Sequence, residues 1–137
     1  MANATSIQLI LDGTRNAAVK LEGVLDTSDV AQYVVVDPAA LCGIDNTLAV
    51  KAAGFTIDRI VYNVEDALAV TLFWDATTPV RIEELTGRGH MEYKKTGGLP
   101  SNAGAGKTGK ILMSTQGWSS GMILSYSIVL ELKKTQS

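Results

Sequence analysis

Apolar residues fall on every second position through residues 122–133: Met122, Leu124, Tyr126, Ile128, Leu130 and Leu132, with Ser125, Ser127, Glu131 and Lys133 between them. A period of two marks a β-strand with one buried face, because successive side chains on extended backbone point to opposite sides. Wound as a helix, the same six residues would scatter around every side. The run is about twice the usual strand length, so it is expected to span a whole sheet.

Shorter segments of the same kind fill the rest of the chain. Leu68, Val70, Leu72 and Trp74 alternate with Ala67, Ala69, Thr71 and Phe73. Ile7, Leu9 and Leu11 form an opening strand that stops at Asp12-Gly13, a turn signal. Val19, Leu21 and Val24 suggest a second strand, interrupted at Gly23, where a bulge is expected. Tyr33 to Val36 is short and β-branched, and residues 55–64 carry Ile57, Ile60, Val61 and Val64, dense enough for burial on both faces over part of their length. Val80 with Ile82, Met91 with Tyr93, and Ile111 with Met113 mark shorter strands, the last running to the turn at Gln116-Gly117. Asp37-Pro38-Ala39-Ala40-Leu41 is the one helical turn, with Asp37 as cap and Pro38 in the first helical position.

Turn signals recur about every ten residues, the pattern of an all-β sandwich. The expectation is one all-β domain over residues 1–137, a single antiparallel β-sandwich of eight or nine strands with one short helical turn. Jelly-roll and immunoglobulin-like strand orders share these signals. Residues 1–6 read as a flexible N-terminal arm. Residues 97–110, rich in Gly, Ala, Ser and Asn, read as a long loop inside the domain.

Charge excludes several functions. Twelve basic and 14 acidic residues leave a net charge of −2 with no block of either sign, so the clustered basic field that holds nucleic-acid phosphates is missing. Lys133-Lys134 is read as solvating the terminus. Charged residues are only 19% of the chain, below the roughly 25% of an ordinary soluble domain, which leans towards a surface covered by copies of itself or a partner. The lone Cys42 cannot form an internal disulfide and, beside Ala39, Ala40 and Leu41, reads as a buried structural thiol. The opening residues carry no basic signal region, and no apolar run approaches the 18 or so residues needed to cross a bilayer. The expectation is synthesis and folding in a cytoplasm, with no membrane partner and no direct nucleic-acid partner.

The stretch Asn102-Ala103-Gly104-Ala105-Gly106-Lys107-Thr108-Gly109-Lys110 contains both G-x-G-x-x-G and G-x-x-x-x-G-K. A phosphate loop needs a buried strand before it and a helix directly after, whose N-terminal N–H groups hold the phosphates. Here a turn at Gly97-Gly98-Leu99-Pro100 precedes, and Ile111 to Gln116 reads as a strand. Ile111 also stands where a Ser or Thr should meet Mg²⁺. The motif therefore reads as a surface loop, with no nucleotide cofactor. His90 is the only histidine, Glu83 and Glu84 point to opposite faces of one strand, and no calcium loop occurs, so no metal or catalytic constellation is expected. Trp118, in the turn before the last strand, either caps the core or anchors a partner, and the cap is favoured.

The segments Trp74-Asp-Ala-Thr-Thr-Pro-Val-Arg-Ile-Glu-Glu, Ser114-Thr-Gln-Gly-Trp and Ser125-Tyr-Ser-Ile-Val-Leu-Glu-Leu, with the Gly/Ala/Asn loop, resemble small virion structural proteins of tailed bacteriophages. The nearest type is the capsid decoration, or cement, protein with a jelly-roll-like β-sandwich. The resemblance implies a non-enzymatic protein made in the host cytoplasm. It would bind the major capsid protein on the outside of the shell, usually as a dimer or trimer, and strengthen it. It also directs attention to the ends and loops as contact segments: Met1, Ala2, Asn3, Ala4 and Thr5 of the arm, Asn102, Ala103 and Gly104 of the loop, and Trp118. A tail or neck component is the neighbouring alternative, and a carbohydrate-binding sandwich using Trp118 is the alternative from another class.

Overall fold

The computed structural model describes residues 3–41, 43 and 50–135. Its strands are β1 (Ala4–Asp12), β2 (Asn16–Leu25), β3 (Tyr33–Val36), β4 (Gly54–Val64), β5 (Ala69–Trp74), β6 (Val80–Leu85), β7 (Arg88–Glu92), β8 (Ile111–Gln116) and β9 (Leu124–Thr135). Two antiparallel sheets result, with strand orders β1-β2-β9-β4-β7 and β3-β8-β5-β6. With β1 set aside, the other eight fall as 2-9-4-7 over 3-8-5-6. After β2 the chain changes sheet at every connection except β5 to β6. This is the order of a jelly roll. β1 is an addition outside β2, a fifth strand on one sheet with no counterpart in the other.

β9 is the spine that the alternation implied. It lies between β2 and β4 and pairs with both along nearly its whole length. Leu124, Tyr126, Ile128, Leu130 and Leu132 point inward and are buried, whereas Met122 falls in the turn before the strand. Facing them from the second sheet are Val70, Leu72 and Trp74 of β5 and Ile111 and Met113 of β8. Each fully buried side chain of this size contributes about 1.5–3 kcal/mol, which is why the two sheets stay closed. In the connection from β3 to β4, Asp37 caps a 3-10 turn at Pro38–Ala40 as expected, its carboxylate accepting from the Ala39 N–H at 3.0 Å. A second 3-10 turn, Lys94–Thr96, was not anticipated.

Three local expectations need correction. β2 runs unbroken through Gly23, which pairs with Thr5 on one side and Tyr126 on the other. The glycine is there for space, since a Cβ would stand 2.5 Å from the Tyr126 hydroxyl oxygen and 2.8 Å from the Ala4 carbonyl oxygen. The bulge is in β1 instead, between Leu9 and Leu11. Lys134 does not solvate the terminus: it takes the next inward position after Leu132, and its side chain is wholly buried against Asp12 at 2.6 Å. Residues 4–6 are not a flexible arm, because Ala4, Thr5 and Ser6 are the first three residues of β1, paired with Val24, Gly23 and Glu22.

The loop over residues 97–110 is tied down at several points. Leu99 exchanges both backbone hydrogen bonds with Ile57, at 2.8 and 3.0 Å. The Thr77 N–H donates to the Ala105 carbonyl at 3.1 Å, and the Thr108 hydroxyl donates to the Asp75 carboxylate at 2.7 Å. β8 follows directly, so the glycine motif delivers a strand where a phosphate loop delivers a helix.

Candidate assembly surface

The sequence-predicted contact residues do not converge. Asn3, Ala4, Thr5 and Trp118 lie at one end of the sandwich, with the start of β1, the β2–β3 connection and the turn before β9. Asn102, Ala103 and Gly104 lie at the other, where their loop meets Gly54, Trp74 and Asp75. Met1 and Ala2 fall outside the described residues, as does Cys42. Ala103 packs half-buried against the core, and Asn102 and Gly104 are exposed.

Asn3 is an anchor. Its side-chain oxygen accepts from the N–H groups of Asp26 and Thr27, both at 3.0 Å, and its amide donates to the Ser28 carbonyl at 2.9 Å. An Asn is suited to this because its amide both accepts and donates. Trp118 is a cap, as favoured: it packs half-buried against the core, and its ring N–H donates to the Met122 carbonyl at 3.0 Å. Its backbone N–H donates to Asp29, which also accepts from the Thr115 hydroxyl, so the turn is fastened to the β2–β3 connection.

The surface that stands out was not singled out from sequence. Ile7, Leu9, Ile10 and Leu11 of β1 are 41, 46, 53 and 50% exposed. Register explains why. Ile7 pairs with buried Leu21 and Leu9 with buried Val19, so both are end members of core rows that continue through Ile128 and Leu130 of β9. They face inward, but the second sheet ends short of them. The remaining exposed large apolar residues of the described chain are Val24, Tyr33, Val34, Val50 and Ile123. Val24 adjoins Ala4 of β1, Tyr33 and Val34 belong to β3, the edge strand that follows β2, and Ile123 immediately precedes the residue that pairs with Leu25. Four of the nine thus lie on the single strand β1, with Val24 next to it on β2, whereas scattered single residues would need no explanation.

The outward face of the five-stranded sheet carries more polar residues. One row reads Ser6, Glu22, Ser127, Asn63, Arg88 across all five strands, and the next reads Gln8, Lys20, Val129, Val61, His90. A groove of about 680 Å³ crosses this sheet at the first row, lined by Ser6, Glu22, Asn63, Arg88 and Ser127 among others. Tyr126, its one aromatic lining residue, is 2% exposed and belongs to the core, so no ring is open for stacking on a sugar. Burial holds the Tyr126 hydroxyl above the usual 10.0, with Tyr33 adding to the rise and Thr5 opposing it. Thr5 lies close enough to act on that hydroxyl but falls short of a hydrogen bond, and the group has no partner among the described residues. Among those residues no three His, Cys, Asp or Glu side chains gather as metal ligands, and exposed His90 stands alone on β7.

Fold and surface together define a jelly-roll β-sandwich with an added, apolar edge strand. The chain matches no family model, no curated protein and no solved structure.

Proposed function

We propose that this chain is a non-enzymatic structural protein that works by docking, and that its setting is the outer surface of a phage capsid shell, which it stabilises. The observation that carries the docking part is the gathering of exposed apolar side chains on and beside β1, with Ile7, Leu9, Ile10 and Leu11 at its centre. Exposed patches of this kind favour a macromolecular contact over a small ligand. The phage setting rests on the sequence resemblance, and the jelly-roll order is compatible with it. The end carrying Asn3, Trp118 and Ile123 would then face the major capsid protein.

The test is the copy number of the chain in purified virions, measured by quantitative mass spectrometry against the major capsid protein. A ratio near one, or a small fraction set by shell symmetry, supports decoration. A count unrelated to the shell moves the protein to the tail or neck. Absence from the particle overturns the reading. The carbohydrate alternative finds no support in the sheet groove, which offers hydroxyl, amide and charged groups but no exposed ring, while Trp118 is engaged with the core. Retention on a glycan array, lost in Trp118→Ala, would restore it.

A further inference from the structure

We propose that β1 is the pairing edge for a second copy of this chain, joining two five-stranded sheets into one continuous ten-stranded sheet about a two-fold axis at Ile7. This rests on the assembly reading of the β1 surface but not on the identity of the particle.

The first argument is charge. No charged residue occurs from Ala4 to Leu11, and Asp12, which follows, is held by Lys134 of its own chain. A second β1 can therefore approach without like-charge repulsion. The edges on the far side of the sandwich differ: β7 carries Arg88 and Glu92, and β6 carries Arg81, Glu83 and Glu84. Charged side chains and very short strands are the usual means of keeping an edge from pairing. β6 and β7 have the first, four-residue β3 has the second, and β1 has no charge over its pairing length.

The second argument is register. β1 pairs regularly with β2 from Ala4 to Leu9, ahead of the bulge. An antiparallel match centred on Ile7 sets Thr5 opposite Leu9, Ser6 opposite Gln8, and Ile7 opposite its own copy, so all five residues lie in the regular stretch. Side chains alternate with period two, so this register keeps the inward faces of both sheets on one side. Ile7, which ends its core row half-exposed, would meet Ile7 of the copy and close that row, while Leu9 would lie opposite Thr5 of the copy and reach the copy's Ile7 on the diagonal. Ser6 and Gln8 would meet on the opposite, polar face. The contact is isologous, as two-fold dimers require.

The test uses the full chain in a Cys42→Ser background. Sedimentation equilibrium should show a dimer at micromolar concentration. Ile7→Lys, which sets two ammonium groups opposite each other across the axis, should raise the dimer Kd by about 100-fold or more while circular dichroism stays that of the parent. Ile7→Cys should form an intermolecular disulfide under mild oxidation, since directly opposed residues lie within reach of one. Gln8→Cys, whose opposite number is Ser6, should cross-link much more slowly. A monomeric parent, an Ile7→Lys dimer of unchanged Kd, or equal cross-linking from both cysteines would each overturn the inference. If Ile7→Lys does not fold, the cysteine pair still decides it. A dimer absent from virions would remove the particle reading and leave this one standing.

Discussion

Lys134→Met tests how β1 and its hairpin are locked to the core. The Lys134 ammonium lies 2.6 Å from the Asp12 carboxylate and 2.5 Å from the Gly13 carbonyl oxygen, and its side chain has no solvent exposure. Methionine keeps most of the volume and removes the charge. Breaking a buried pair from one side costs about 3–5 kcal/mol because the other charge is left behind. Asp12 keeps 23% of its side-chain surface in water, so part of that cost is relieved. The expected loss is about 2–3 kcal/mol after that discount. For a domain of this size it corresponds to a fall in Tm of roughly 10 °C.

The measurement is urea unfolding of a double-mutant cycle with Asp12→Asn. The coupling should be about 2 kcal/mol, the double variant losing much less than the two single losses summed. A coupling below about 0.5 kcal/mol, the level seen between independent sites, would refute the lock. The pair would then count as an ordinary surface contact despite its burial.

Asn3→Ala removes the acceptor for the Asp26 and Thr27 N–H groups; it should cost about 1 kcal/mol and raise amide exchange in β1 while β9 stays protected. Tyr126→Phe deletes a buried hydroxyl without a hydrogen-bond partner among the described residues, so thermal stability at neutral pH should hold or rise. Because burial raises the folded-state pKa of Tyr126 above 10.0, its contribution is present below pH 10 and is lost as pH rises through the folded value. Parent stability should therefore fall above pH 10, and more steeply than that of Tyr126→Phe. Lys107→Ala should leave Tm unchanged, and isothermal calorimetry with ATP or GTP should show no heat in either protein; binding abolished by this change would reverse the reading of the glycine loop.

Legibility from sequence followed the range of the interactions. The alternation in residues 122–133 and at Leu68, Val70, Leu72 and Trp74 reports which side of a strand is buried, and both segments fold accordingly. The Asp37 cap and the Asp12-Gly13 turn were equally readable, because each is settled within four residues. What could not be read was strand order. β2 pairs with β9, its partners about 100 residues or more away in sequence, and β1 is left as an edge with β2 as its only neighbour. Ile7, Leu9 and Leu11 therefore read only as an opening strand, while attention went to the arm, the glycine loop and Trp118. The uncharged run from Ala4 to Leu11 was the available signal. Gly23 was misread for a related reason, since the Tyr126 ring that demands a glycine comes from β9.

The placement of polar contacts along β1 bears on what the strand is for. An apolar edge strand held by a single neighbour would fray, and ordering it at the moment of docking would consume part of the binding free energy. Here the two ends are fastened by side chains: Asn3 grips the β2–β3 connection, and Asp12 is gripped by Lys134. Between them, Ile7, Leu9, Ile10 and Leu11 have no side-chain hydrogen bond to satisfy, and each is half-exposed. The polar residues within the strand, Thr5, Ser6 and Gln8, all precede Leu9, and the side chains that fasten it sit at its two ends. A strand meant only to cover the edge of β2 would gain nothing from four half-exposed Ile and Leu residues, because polar residues at those positions would pair with β2 equally well. Fastened ends and a bare apolar middle are the arrangement of a strand ordered in advance for a partner, and the uncharged, regular stretch from Thr5 to Leu9 makes the same strand of a second copy that partner.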